Sequence, residues 1–272
     1  MSDGKYAFEK SKIIHGEAIE QMKLIPNGSI DAIITDPPYG TTACKWDAVI
    51  PFDKMWEQLN RVIKPTGAIV LFGSQPFTSA LIMSNPKLFR YELIWEKDSP
   101  SNIFFAQVQP LKYHENILIF SKAKAHNQAK LKMEYIPQME VRKEKNKRNN
   151  NVRNNNKSKI FGDGREFNCQ KKIGNEDLIY PKSVKFFNRV RNGVHNTQKP
   201  IALMEYLIKT YTNENETVLD FTMGSGSTLV ACQNTNRNGI GIELDTSYFA
   251  IAKNRVEENK KENAPLTLFN GE

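Results

Sequence analysis

Long apolar runs are missing from this chain: no window of its 272 residues approaches 18 consecutive apolar side chains, so neither a membrane-spanning helix nor a membrane partner is expected. The polar start, Met1-Ser2-Asp3-Gly4-Lys5, lacks the apolar core of a secretion signal, and a cytoplasmic protein is the expectation. Cysteine is scarce as well. Cys44, Cys169 and Cys232 are odd in number, far apart, and show none of the paired spacings of a zinc site or a disulfide framework, which predicts free thiols and no metal. Internal repeats are absent. What the chain does have is an ordinary apolar share of 39%, enough to bury the core of one large domain with or without a smaller insert.

Charge is distributed unevenly. Residues 122–200 hold 20 Lys and Arg against 7 Asp and Glu, while the remainder holds 18 against 23, so the whole formal excess of +8 originates in the middle of the chain. A basic block between mildly acidic flanks suits a polyanion such as nucleic acid; the plainer alternative is a solvated loop. Residues 143–159 are dominated by Lys, Arg and Asn, with Val152 as their only apolar side chain, and cannot contribute much to a core. Lys143, Lys145, Lys147 and Arg148 in this run are candidates for contacts to a phosphate backbone.

On either side of that block, strand and helix patterns alternate. Residues 30–35 read as a buried strand, 52–63 as a helix with Phe52, Met55, Trp56, Leu59, Val62 and Ile63 on one face, and 68–72 as the next strand after the stop Lys64-Pro65-Thr66-Gly67. Residues 93–95 and 116–120 are further strand candidates. The alternation returns at Pro200, with helices over 201–211 and 227–233, strands over 217–220 and 239–243, and a last helix capped by Asp245. This is an α/β protein with a doubly wound, mostly parallel, Rossmann-like sheet, in three parts: 1–123, a basic insert at 124–192, and 193–272. Residues 133–136, 160–161 and 184–187 offer apolar and aromatic material for a small domain within the insert.

Two motifs carry chemistry. The first is Asp36-Pro37-Pro38-Tyr39, which ends the strand over 30–35, and the C-terminal edge of a parallel strand is where α/β proteins place ligands. Asp36 offers a carboxylate acceptor, the prolines leave carbonyls free to accept from an amine, and Tyr39 offers a flat face; together they suit a planar ring with an exocyclic amino group. The plainer alternative is an Asp-Pro-Pro turn that only ends the strand. The second motif runs from Asp220 through Phe221, Thr222, Gly224 and Gly226, a strand, a glycine turn and a helix start, with Glu243 ending the next strand where it can accept from both hydroxyls of a ribose. A third glycine is missing, Leu229 standing in its place, and there is no Gly-Lys-Ser/Thr for a phosphate loop, so an adenosine ligand without phosphate, S-adenosylmethionine, fits best.

With His195-Asn196-Thr197-Gln198-Lys199-Pro200 ahead of the second motif, the chain resembles the amino-methylating DNA methyltransferases of the β group, which modify adenine N6 or cytosine N4, including solitary enzymes of phages and prophages and enzymes of restriction-modification systems. The resemblance implies that Asp36, Pro37, Pro38 and Tyr39 handle a base flipped from double-stranded DNA and that Asp220, Phe221, Thr222, Gly224 and Gly226 hold S-adenosylmethionine. It further implies Glu243 on the ribose, Glu17 on the adenine of the cofactor, and Thr197 with Lys199 at its methionine end; His195 is given no role. Two departures stand out: Gly16-Glu17 where the family usually has Gly-Asp, and Phe221-Thr222 where it commonly has Pro-Phe. An Asp at position 36 is the more usual choice for adenine, so N6 is preferred over the alternative, cytosine N4. Methylation of an RNA base or a protein glutamine uses a related motif that usually starts with Asn, and a DNA-binding module without catalysis lacks support because no expected catalytic residue is missing.

Overall fold

Six consecutive residues of Ile30–Thr35 are buried, as required of a strand covered on both faces. The computed structural model describes residues 11–40, 47–141, 170–173, 176–191 and 198–262. In chain order the elements of the larger unit are β1 (Ser11–His15), α1 (Ala18–Met22), β2 (Ile30–Thr35), α2 (Phe52–Val62), β3 (Ile63–Gly73), α3 (Phe77–Ser84), β4 (Phe89–Glu96) and β5 (His114–Phe120). Between these and the rest come β6 (Glu140–Val141), β7 (Gln170–Ile173) and β8 (Glu176–Ile179) of a smaller unit. The larger unit resumes with β9 (Val184–Phe186), α4 (Ile201–Tyr211), β10 (Thr217–Asp220), α5 (Ser227–Asn234), β11 (Asn238–Glu243) and α6 (Thr246–Glu262).

The large sheet has the order β1-β11-β10-β2-β3-β5-β4-β9. Every neighbouring pair is parallel except the two that β5 makes, so β5 alone among these strands runs against the rest. This is the doubly wound, mostly parallel sheet expected. One face buries Met22, Trp56, Leu59, Phe77 and Leu81 from α1, α2 and α3 against Ile33 and Ile69. The opposite face buries Leu203, Leu207, Tyr211 and Cys232 from α4 and α5 against Ala32, Ile34 and Val70. Alternation along β2 thus sends Ile33 to one layer and Ala32 and Ile34 to the other. Each such fully buried side chain contributes about 1.5–3 kcal/mol, and this anchorage holds the end of β2 rigid.

The helix stops one residue earlier than expected, and the stop segment 64–67 lies within the next strand. α2 ends at Val62, and β3 begins at Ile63 without a loop. The register to β2 jumps from Ile30↔Ile63 to Ala32↔Ala68, so residues 64–67 form a bulge, one of the few places within a sheet where Pro65 is tolerated. Gly67 is required there, because a Cβ would lie 2.5 Å from the Asp31 carbonyl oxygen.

The smaller unit, Pro137–Lys182, contains the antiparallel sheet β6-β8-β7. The basic insert expected at 124–192 is wider than this unit. Met133 is buried in the large core beside Val70 and Leu203, Phe187 packs against the same cluster, and β9 pairs with β4, so these apolar residues extend the main sheet rather than build a small domain. Residues 160–161 lie outside the described residues, as do Cys44 and Cys169; Cys232 is a free, buried thiol. Among the described residues no helix is long and apolar enough to cross a membrane, and no cluster of His, Cys, Asp or Glu is placed to hold a metal ion.

Candidate active site

β2 and β10 lie side by side and parallel, with Leu219 opposite Ile33, so Thr35 and Asp220 end neighbouring strands at the edge where ligands bind in such sheets. A buried hydrogen-bond network ties the two ends together. The Thr35 hydroxyl donates to Asp220 Oδ1 at 2.6 Å and lies 2.7 Å from the Thr222 hydroxyl, which reaches the Asp36 carbonyl at 3.0 Å. The Thr228 hydroxyl takes Asp220 Oδ2, and the Thr222 N–H donates to Oδ1 at 3.2 Å. With Asp220 ionised, three hydroxyl hydrogens face four contacts; a proton on Asp220 Oδ1, donated to the Thr35 hydroxyl in place of the bond it receives, frees the Thr35 hydrogen for Thr222 and completes the set. In agreement, burial outweighs the donated hydrogen bonds and pushes the Asp220 carboxyl up to about 6.

Asp36 is the first residue beyond β2. Its Oδ1 accepts from the Tyr39 hydroxyl and its Oδ2 from the Lys199 ammonium, which is only 8% exposed. Lys199 also lies 3.4 Å from Glu115 Oε2, and Glu115 Oε1 accepts from Lys97, itself 5% exposed. Asp36, Lys199, Glu115 and Lys97 therefore form a row of alternating charge in which the two cations are buried and the two acids partly so. The cations sit over aromatic rings as well, Lys199 at 4.9 Å from Phe72 and Lys97 at 4.8 Å from Trp95.

Burial alone would pull the Lys199 ammonium down, but Asp36 and then Glu115 outweigh it and hold it above the ordinary lysine value. For Lys97, burial prevails over the pull of Glu115 and its value falls. Glu115 is driven up by burial and, more strongly in sum, down by Lys199 and Lys97, ending below the ordinary range. Burial first and the Asp36 charge second push the Tyr39 hydroxyl far up, so it remains a donor.

The loop carrying the first motif is held from the other side. Asp47 Oδ1 accepts from the N–H groups of Tyr39 at 2.8 Å and Gly40 at 3.0 Å, and the Tyr39 ring packs on Phe77 with centroids 4.9 Å apart. Pro37, Pro38 and Tyr39 line the same cavity as the second motif. That cavity has a volume of about 410 Å³, within the range of small-molecule sites.

On its other wall the turn after β10 is shaped for close approach. Gly224 and Gly226 have φ of +52° and +79°, and a Cβ on Gly226 would stand 3.1 Å from the Ala252 Cβ of α6. Glu243 Oε2 accepts from the Gly224 N–H and Oε1 from the Asp245 N–H, both at 2.8 Å, and burial raises its carboxyl despite these bonds. The Gly16 N–H donates to the Glu243 carbonyl at 2.9 Å, which brings Glu17 to the cavity, where one of its oxygens caps α1 through the Glu20 N–H at 2.8 Å. Phe221 is buried in the core at the cavity floor.

In this cavity Ser227 Oγ and Gln198 Oε1 are buried and have no partner among the described residues. A ligand with donors and acceptors of its own would satisfy them. Neither was singled out from the sequence as a cofactor contact, and neither were Glu115, Lys97 or Asp47. Lys199, expected at the methionine end of a cofactor, places its ammonium on Asp36 and Glu115. Asp220 lines the cavity but has its oxygens engaged by Thr35, Thr222 and Thr228. Thr197, His195, Lys143, Lys145, Lys147 and Arg148 lie outside the described residues.

The profile of the family described as DNA methylase matches residues 30–254. The Type II methyltransferase M.HpaI of Haemophilus parainfluenzae is 30% identical over 262 residues, covering 90% of this chain and 74% of that protein. The DNA adenine methyltransferase YhdJ of Escherichia coli (strain K12) is 26% identical, covering 93% of this chain and 85% of its own length. Among solved structures, the M1.HpyAVI-SAM complex superposes with a TM-score of 0.56 at 26% identity, over 90% of this chain and 99% of that one.

Proposed function

This chain belongs to the DNA methylase family, and on that footing we propose that it transfers a methyl group from S-adenosylmethionine to the N6 amino group of an adenine flipped out of double-stranded DNA. The observation that carries this reading is one cavity bounded on one side by Asp36, Pro37, Pro38 and Tyr39 and on the other by the glycine turn and Glu243. An amine-accepting motif and a nucleoside site open into the same space.

The residues fit the cofactor. Glu243 keeps acceptor capacity beyond its two backbone bonds for ribose hydroxyls, Glu17 stands beside it for the adenine edge, and the unpartnered Ser227 Oγ and Gln198 Oε1 are free to bind. When bound, S-adenosylmethionine supplies an electrophilic methyl group on a sulfonium. Asp220 acts on it indirectly, by fixing Thr222 and Thr228 at the two ends of the turn.

The target amine is a poor nucleophile because its lone pair is delocalised into the ring. Each carboxylate oxygen has about two acceptor sites, so Asp36 can accept one amino hydrogen while still bound to Lys199 and Tyr39. A proline carbonyl of the motif accepts the other, leaving the lone pair aimed out of the ring plane. One such charge-assisted bond contributes about 1.5–3 kcal/mol, and holding the two reactants in line contributes more. Lys199 and Tyr39 hold the carboxylate still, and Tyr39 offers its ring for stacking. Lys143, Lys145, Lys147 and Arg148 of the basic insert follow the phosphate backbone, and the protein works in the cytoplasm, where DNA is accessible.

Sequencing DNA from a strain that expresses the protein for modified bases tests this reading. The expected result is N6-methyladenine at one recurring site with the wild type and none with Asp36→Ala. Modified cytosine at that site would move the protein to N4 chemistry, and an unmodified genome would remove DNA as the substrate.

A further inference from the structure

Between β4 and β5 the chain makes an excursion with a closed neck and an apolar tip. The Lys97 N–H donates to the Tyr113 carbonyl at 2.7 Å and the Ser101 N–H to the Lys112 carbonyl at 3.0 Å. Asn102 clasps the neck, its Nδ2 donating to the Pro110 carbonyl at 3.1 Å and its Oδ1 accepting from the Lys112 N–H at 2.6 Å. The tip is a single tight turn, Ile103–Phe105, continued by the Val108 N–H donating to the Phe105 carbonyl at 3.0 Å. Its side chains face outward: Phe104 is 97% exposed, Val108 79%, Ile103 55% and Phe105 54%. Four large apolar groups on an ordered turn contribute nothing to the core, and a cluster of this kind marks a surface made to be covered.

Its position says by what. β2, β3 and β4 run in one direction, so the excursion leaves the sheet from the same edge as Asp36 after β2 and Ser74 after β3. The neck is fastened to that edge. Lys112 Nζ donates to Ser74 Oγ, and Lys97 pairs with Glu115, which reaches Asp36 through Lys199. Two arginines stand on the neck: the Arg189 N–H and Arg191 Nη2 donate to the Asp98 carboxylate at 2.8 and 2.9 Å, and Arg189 Nη1 donates to the Pro100 carbonyl at 3.0 Å. The Arg191 side chain is 80% exposed, and residues 99–113 contain no acid. A second copy of the chain would bring the same arginines to the interface, whereas a polyanion with apolar faces inside it complements both the charge and the tip.

We propose that residues 103–108, led by Phe104, are a wedge that enters the base stack of duplex DNA beside the target adenine and occupies the space it vacates, with Arg189 and Arg191 on the adjoining phosphates. This rests on the reading of the chain as a DNA adenine methyltransferase. Flipping a base forfeits its stacking and pairing, and an inserted apolar side chain restores packing against the bases left behind.

The test uses the full-length protein, S-adenosylmethionine and two duplexes carrying the site found by sequencing, one fully paired and one with an abasic position opposite the target adenine. Phe104→Ala should lower kcat/KM on the paired duplex by about 10- to 100-fold, with little change on the abasic one, where pairing is already lost; Phe104→Trp should restore it. A 2-aminopurine placed at the target should brighten on binding of the wild type and several-fold less with Phe104→Ala. Equal losses on both duplexes, or no loss on the paired one, would overturn the wedge, as would a shift from dimer to monomer in sedimentation, which would make the tip an interface between copies. Wild-type protein inactive on both duplexes would instead refute the methyltransferase reading.

Discussion

The Lys199 ammonium rests on the Asp36 carboxylate, joining residues 163 positions apart in the chain. The segment ahead of α4 thereby becomes part of the proposed amine-accepting site, and Glu115 and Lys97 behind it complete a row of charges that leaves Asp36 little freedom to turn.

Replacing Lys199 with Met should lower kcat for methyl transfer by about 100-fold, the usual result of letting a reacting group drift by an ångström. Affinity for S-adenosylmethionine, read by calorimetry, should stay within a few-fold, because the ammonium is on Asp36 rather than free in the cofactor half. Breaking one partner out of a buried ion pair also costs about 3–5 kcal/mol of stability, visible as a lower Tm. A large fall in cofactor affinity with kcat intact would return Lys199 to the methionine end.

Glu243→Ala should weaken cofactor binding by about 2–4 kcal/mol, through the loss of charge-assisted bonds to two hydroxyls, while DNA binding stays largely intact. The same change frees the Gly224 and Asp245 N–H groups, so Glu243→Gln, which keeps an oxygen for one of them, should bind the cofactor better than Glu243→Ala. Equilibrium dialysis with labelled cofactor decides between them. Equal affinity in wild type and Ala would take Glu243 out of the ribose role.

Asp220 should impose a slope on the stability of the protein in mildly acidic solution. Its carboxyl lies at about 6 in the folded chain, above the ordinary aspartate value, so the folded state holds the proton more tightly and stability falls as pH rises from about 4 to 6. A shift of this size corresponds to about 3 kcal/mol. Asp220→Asn keeps an acceptor for Thr35, gives up the one that Thr228 uses and removes the titrating carboxyl, so in urea melts at a series of pH values its stability should lack this slope and gain on the wild type across that window. Parallel curves for the two proteins would mean that the network carries no shared proton.

Neutralising Lys143, Lys145, Lys147 and Arg148 together should flatten the log–log dependence of DNA affinity on salt, by about 0.9 for each phosphate that is no longer paired with a cation, and weaken binding to all sequences alike. Fluorescence anisotropy at several salt concentrations measures both. An unchanged slope would make the run a solvated segment, and weaker binding confined to the preferred site would make it a base reader.

Much of this protein is local in origin. The strands ending in Asp36, Asp220 and Glu243 are short apolar runs bounded by Pro, Gly and Asp, and α4 begins and ends where its pattern does, because burial on both faces of a sheet writes itself into consecutive residues. The glycine turn and Glu243 belong to one strand–helix–strand unit, so the proposed nucleoside site is legible without the rest of the chain. Elements whose stability comes from elsewhere left no such mark. β1 alternates too irregularly, α1 spans five residues, and α3 is apolar around its circumference, so none has a period of its own. Met133 and β9 looked like material for a separate domain because only the large sheet supplies the surface they bury against.

The decisive part of the site is of this second kind. Lys97 and Glu115 meet because β4 and β5 pair with Glu96 opposite His114, and their row reaches Asp36 because β5 lies next to β3 and β3 next to β2. No spacing in the sequence encodes that order of strands. The sequence determined which residues carry the chemistry, since a carboxylate, two prolines and a ring are properties of the side chains themselves. The tertiary structure decided which of them act together, because a buried charge takes its partner from whatever the sheet brings within reach.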